Sequence, residues 1–122
     1  MLGYITIGTN DLPRATAFYD ALLAEISAQR AWASEAGVCW STKRGAALAV
    51  MKPFNGQPAT PGNGNMAAIS VKSNEDVDRF YATAMALGGT DEGPAGARSD
   101  AFYAGYFRDL DGNKLCVFHM TA

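Results

Sequence analysis

One histidine, His119, and two cysteines, Cys39 and Cys116, are this chain's whole supply of imidazole and thiol groups. At 122 residues it is long enough to bury a core without a disulfide framework or a structural metal. With no secretory context the two cysteines read as free thiols. Also missing is any apolar run of the roughly 18 to 20 residues that spans a bilayer as a helix, so the protein is expected to be soluble. The opening "MLGYITIGTND" has no basic segment followed by a long apolar stretch, and the location expected from that is cytoplasmic. Nor is there a cluster of basic residues. The ten Lys and Arg are scattered and the formal net charge is −2, so neither nucleic acid nor an anionic membrane is expected as a partner. Hydrophobic residues at 48% and charged ones at 18% are ordinary for a globular domain.

What is present has a grammar that occurs twice. "YITIG" at 4–8 mixes β-branched and aromatic residues as a strand does. Asp11 then serves as an N-cap, Pro13 fits a first helical turn, and Ala15, Phe18, Tyr19, Leu22 and Leu23 follow helical spacing, which predicts a helix over 12–24. "MAAISV" at 66–71 is again strand-like. Ser73 with Asp76 resembles a capping box, and Val77, Phe80, Tyr81, Ala84 and Met85 predict a second helix over 74–87, stopped by Gly88. Phe18-Tyr19 thus recurs as Phe80-Tyr81, Asp11 as Ser73, and Tyr4 as Met66. "GAALAVMK" at 45–52 recurs, with a slightly larger offset, as "GNKLCVFH" at 112–119. The order in both halves is strand, helix, then further short strands, the mark of a duplicated module.

The segment 53–65, "PFNGQPATPGNGN", is dense in Pro, Gly and Asn and reads as the connector. Its "GNGN" leads into a strand and does not open a helix, which argues against a phosphate cradle. The stretch 88–100, "GGTDEGPAGARSD", reads as a second long loop. Its Arg98 has two readings, a clamp on an anionic ligand or a side chain in solvent, and solvent is the one expected.

Two such modules, the entry "NDLPRATAFYDALLA" and the closing "RDLDGNKL" turn and strand together resemble the vicinal oxygen chelate superfamily of glyoxalases, bleomycin and fosfomycin resistance proteins and ring-cleaving dioxygenases. More narrowly, the chain looks like a bacterial glyoxalase-like group of unknown activity. The resemblance extends over essentially the whole sequence. It implies an α+β fold of two βαβββ modules, one covering about 1–52 and the other about 66–122, forming one cleft in a single domain. It also implies a homodimer.

In metal-bearing members the ligands come from the first and last strands of each module. Carried over, those positions are Tyr4, Ala49, Met66 and Cys116. A divalent ion acting as a Lewis acid needs three or four imidazole, carboxylate or comparable donors. Alanine has none, a thioether is soft and weak, and a tyrosine must first lose its proton. No metal and no cofactor are therefore expected. Strand alternation sets Cys116, Phe118 and Met120 on one face and Leu115, Val117 and His119 on the other, so His119 is expected to look away from the cleft toward a backbone group or water.

The same resemblance with alternation makes Tyr4, Thr6, Ala49, Met51, Met66, Ala104, Tyr106, Cys116 and Phe118 the expected cleft lining, with Phe102 beside Ala104 and Trp40 closing one wall. Tyr4 and Cys116 are weak candidates for a catalytic acid or nucleophile. The leading functional reading is a metal-free binder of a small, partly hydrophobic molecule. Two alternatives stand beside it: an enzyme of the glyoxalase, lyase or dioxygenase type with atypical site residues, and an interaction protein whose cleft its own side chains fill.

Overall fold

The apolar spacings become elements close to those expected. In the computed structural model, which describes residues 1–121, β1 (Tyr4–Gly8) is followed by α1 (Leu12–Ala24), β2 (Gln29–Ala33), β3 (Gly37–Ser41) and β4 (Ala47–Met51). The same order then returns as β5 (Ala67–Ser70), α2 (Asn74–Ala86), β6 (Thr90–Ala97), β7 (Phe102–Arg108) and β8 (Lys114–Met120). The chain divides into two units, Met1–Pro61 and Gly62–Ala122. Each holds one four-stranded sheet, ordered β1-β4-β3-β2 in the first and β5-β8-β7-β6 in the second. In each sheet the first strand runs parallel to the last, and the remaining neighbours are antiparallel. The duplication therefore extends to strand order and direction.

Both helices begin at the caps that their sequences specify. The Asp11 carboxylate accepts from the Arg14 amide at 3.1 Å and the Ser73 hydroxyl from the Asp76 amide at 3.1 Å, each satisfying an orphan N–H of a first turn. In the first unit α1 buries Ala15, Phe18, Tyr19, Leu22 and Leu23 against the sheet, with Tyr19 in ring contact with Trp40 at 5.7 Å. In the second unit Val77, Phe80 and Ala84 of α2 are buried, and Phe80 meets Phe107 of β7 at 6.2 Å.

The stretch 88–100 departs from its expected form. It contains the eight-residue strand β6, although two glycines and a proline lie within that strand. β6 is an edge strand whose pairing with β7 slips twice, between Asp91 and Gly93 and between Gly93 and Gly96. At an edge the missing N–H of Pro94 removes no obligatory ladder bond, and bulges absorb the glycines. The compositional signal for a loop was in fact the signal of a bulged edge.

The motif turn "DLDGN" at 109–113 is a structural knot. Asp109 Oδ1 accepts from the amides of Asp111 and Asn113, both at 2.9 Å, while Asp109 Oδ2 accepts from Asn113 Nδ2 at 2.9 Å. Asp109 and Asn113 are both buried, and Gly112 takes the positive φ of 87° that closes the turn into β8.

Candidate functional site

Each sheet has a face covered by its own helix and a face that is not. In the first unit Tyr19 and Asp20 of α1 engage Trp40, so the face carrying Trp40 is the helix face. Cross-strand partnership with Trp40 puts Leu48 there, and Ile5 follows as the partner of Leu48. The opposite phase carries Tyr4, Thr6, Ala49, Met51 and Cys39, with Thr6, Ala49 and Cys39 in one cross-strand row. Tyr4 is 62% exposed while Ala49 is fully buried.

Trp40 is thus a correction. The expectation made it a wall of the ligand site, but its ring packs on α1 and its indole N–H donates to Asp20 Oδ1 at 2.9 Å. Only the phase of β3 decides this, and the continuously buried run Gly37–Trp40 gives no alternation from which to read a phase. Its neighbour Cys39 takes the open face instead, a position that the sequence reasoning missed.

In the second unit the phase is as expected. Phe107 and Tyr103 address α2, Phe107 through Phe80 and Tyr103 through a hydroxyl donated to Asp78 at 2.6 Å. His119, the cross-strand partner of Tyr103, lies with them: its Nδ1 is 2.9 Å from Asn74 Oδ1 in the first turn of α2. It therefore faces away from Cys116, as alternation requires, though its partner is a side chain and not the expected backbone or water.

The open face carries Ala104, Tyr106, Cys116 and Phe118, paired across β7 and β8 as Ala104 with Phe118 and Tyr106 with Cys116. Phe102 stacks on Phe118 at 5.6 Å. Met66, just ahead of β5, is 45% exposed. The register also repeats: Thr6 pairs with Ala49 in the first unit as Ala68 pairs with Cys116 in the second.

Two cations stand over this face. The Arg98 guanidinium lies 5.3 Å from the centroid of the Tyr106 ring and the Lys114 ammonium 5.7 Å from it, both within cation–π range. Arg98 is fixed by donating from Nη1 to Gly96 O at 2.9 Å and from Nη2 to Pro94 O at 2.7 Å. The solvent-directed Arg98 expected from composition is replaced by an exposed but anchored one. Lys114 was legible, since it stands two before Cys116 and shares its face. The fold of the β6–β7 hairpin is what brings Arg98 over the ring.

Beneath the cations Tyr106 lies beside the Cys116 thiol, its cross-strand partner on β8. Burial pushes the Cys116 thiol above its ordinary value, against the opposing pull of Tyr106, Arg98 and Lys114. Burial and the neighbouring sulfur likewise raise Tyr106. Both groups keep their protons near neutral pH, so Cys116 is no poised thiolate nucleophile.

The donor set can now be tested against a catalytic metal. Of Tyr4, Ala49, Met66 and Cys116, Ala49 has no donor atom, Met66 supplies only a thioether, and Cys116 is held as a neutral thiol. Among the described residues no group of three or more His, Cys, Asp and Glu side chains is gathered for an ion. These residues do not fit a Lewis-acid site. Elsewhere in the first unit a hollow of about 520 Å³ opens beside α1, lined in part by Leu12, Thr16, Arg30, Glu35 and Lys52. None of the open-face residues lines it, and Arg30 is already bound to Asp20.

This pair of repeated modules defines a known class. The family model of the Glyoxalase/Bleomycin resistance protein/Dioxygenase superfamily matches residues 1–117, and the chain belongs to that family. A glyoxalase/bleomycin resistance protein from Albidiferax ferrireducens T118 is 35% identical, with 99% of each chain covered and a TM-score of 0.91. A family enzyme from Burkholderia phytofirmans PsJN, at 18% identity and 98% coverage of each chain, superposes with a TM-score of 0.79. A lactoylglutathione lyase from Agrobacterium tumefaciens, at 20% identity with 98% of this chain and 92% of that one covered, gives 0.72. These last two share the fold. No curated protein matches the chain. Among the described residues no helix is long and apolar enough to cross a membrane.

Proposed function

We propose that this protein binds a small, partly hydrophobic molecule on the open faces of its sheets without a catalytic metal. The observation that carries the reading is the chemistry at the four family ligand positions, where Ala49 and Met66 stand in place of hard donors. Around them the open faces offer tyrosine hydroxyls, a threonine and the stacked pair Phe102–Phe118, with the Cys116 thiol buried beneath Tyr106. Apolar walls with a few polar groups are the usual composition of a site for such ligands. The reading includes a homodimer, supported by the exposed apolar side chains Tyr4, Met66 and Met120. A cytoplasmic location is supported by the two free thiols.

The test is metal analysis of the purified, untagged protein, Zn²⁺, Ni²⁺, Mn²⁺ and Fe²⁺ titration, and a thermal-shift screen of small aromatic and aliphatic molecules. Metal at background, melting unaffected by the ions and stabilisation by organic ligands are the expected results. A stoichiometric metal that Cys116→Ser loses would overturn the metal-free reading, and turnover of dicarbonyl or catechol substrates would then point to an enzyme. Indifference to every small molecule would favour an interaction role.

A further inference from the structure

Arg98 and Lys114 converge on one ring without a carboxylate to neutralise them. Three of the acidic side chains near β6 and β7 are committed elsewhere, and Asp100, in the turn between them, makes no salt bridge with Arg98. Glu92 is paired with Arg108 at 2.5 Å, Asp91 accepts from the Tyr81 hydroxyl and the Gly93 amide, and Asp78 accepts from Tyr103. Among the described residues no salt bridge joins Arg98 or Lys114 to an acid. With neither charge offset by an acid, an anion bound at this face is attracted by both cations.

The backbone is shaped for the arginine. A Cβ at Gly93 would come within 3.2 Å of Arg98 Nη2 and 3.3 Å of the Tyr106 ring, and one at Gly96 within 3.4 Å of Arg98 Nη1. Gly93 also has a φ of 152°. The two glycines thus leave the room in which the guanidinium lies along the bulged strand over Tyr106. Its two bonds to Gly96 O and Pro94 O use two of the five N–H donors of a guanidinium, and three remain in a fixed fork. Holding the fork in place beforehand lowers the ordering cost of binding. On the same face, past Ala104, the stacked rings of Phe102 and Phe118 provide an apolar floor.

We propose that the open face of the second sheet recognises a small molecule joining an anionic group, a carboxylate or phosphonate, to an aromatic or apolar body. Arg98 and Lys114 take the anion, while Tyr106, Phe102 and Phe118 take the body. The inference rests on the small-molecule reading above and specifies its ligand.

The test uses phenylphosphonate and benzoate as probes, with benzyl alcohol as the neutral counterpart, titrated into the intact protein and followed by amide and arginine side-chain NMR shifts. The expected result is saturable binding of the anionic probes, with shifts in Arg98 Nε–H and the amides near Tyr106 and Lys114. Arg98→Gln and Lys114→Gln are each expected to weaken that binding by about tenfold or more. Raising NaCl from about 0.05 to about 0.5 M is expected to weaken it as well. Lys114→Gln guards against a purely structural effect, because Lys114 takes no part in the bonds that anchor Arg98 to the hairpin. Far-UV circular dichroism checks that both variants are folded. Equal affinity for benzyl alcohol and the anions, or anion binding undiminished in both variants, would overturn the proposal and leave the small-molecule reading standing. If neither kind of probe binds, this proposal falls and the thermal-shift screen decides the small-molecule reading.

Discussion

Replacing Asp109 with alanine is expected to cost about 3 kcal/mol, within a range of about 2 to 5. One carboxylate collects three donors, from the amides of Asp111 and Asn113 and the side-chain amide of Asn113. Two of those donors belong to Asn113, which is only 4% exposed, so the alanine variant takes a buried acceptor from both. An orphaned buried donor costs about 1 to 3 kcal/mol, and neighbouring losses add imperfectly.

Asp109→Asn tests the assignment atom by atom. Its carbonyl can still accept both backbone amides, but its NH₂ meets the NH₂ of Asn113, for an expected loss of about 1 to 2 kcal/mol. Adding Asn113→Asp restores a donor–acceptor pair and should recover about 1 kcal/mol of that loss. Urea unfolding followed by far-UV circular dichroism measures all three. A loss below about 0.5 kcal/mol for Asp109→Ala, or an asparagine variant as unstable as the alanine one, would refute the reasoning.

Three further outcomes follow from the geometry. Gly37→Ala would drive a Cβ into the Val50 carbonyl at 2.5 Å and against the Met51 sulfur; the expected loss is about 2 to 3 kcal/mol, read from the urea midpoint at unchanged slope. Asp20→Ala orphans the indole N–H of the buried Trp40 and should cost about 1 to 3 kcal/mol at neutral pH, measured by tryptophan fluorescence on unfolding. The Arg30 hydrogen bond, helped by Trp40 and opposed by burial, holds the Asp20 carboxyl below its ordinary value. Its stabilisation is therefore complete above the unfolded value of 3.8 and disappears as pH falls through the folded one, where the gap between parent and variant should narrow. Burial, the hydrogen bond to Asp91 and the Asp91 charge push Tyr81 up to about 12. That contribution is whole below about pH 10 and is lost as pH rises toward 12, so the phenolate absorbance titration should lose its highest step in Tyr81→Phe.

The elements with regular spacing were legible one residue at a time. α1 runs Leu12–Ala24 as its apolar positions and Asp11 cap predict, and α2 stops at Ala86, with Leu87 as its C-cap, one short of the expected end. Terminal turns fray, and spacing alone does not fix their last residue. The strand expected over 66–71 is trimmed to Ala67–Ser70, leaving Met66 outside it. The Arg98–Tyr106 stack was not legible. It depends on the register slips of β6, which follow from how a glycine-rich edge fits its neighbour and from no local propensity.

The sequence by itself determined the two modules and which side chains stand at each repeated position, because helical and strand periodicities and caps are local properties carried by nearby residues, while the family was read from the resemblance of its motifs. It also determined that Cys116 and His119 lie on opposite sides of β8, since parity along an unbulged strand follows from the pleat alone. Tertiary structure decided the phase of β3, which turned Trp40 toward α1 and Cys39 to the open face. It likewise decided that a glycine-rich segment pairs as β6 and lays Arg98 over Tyr106 opposite no acid. These are outcomes of packing between segments distant in sequence, where the partner and not the segment sets register and direction.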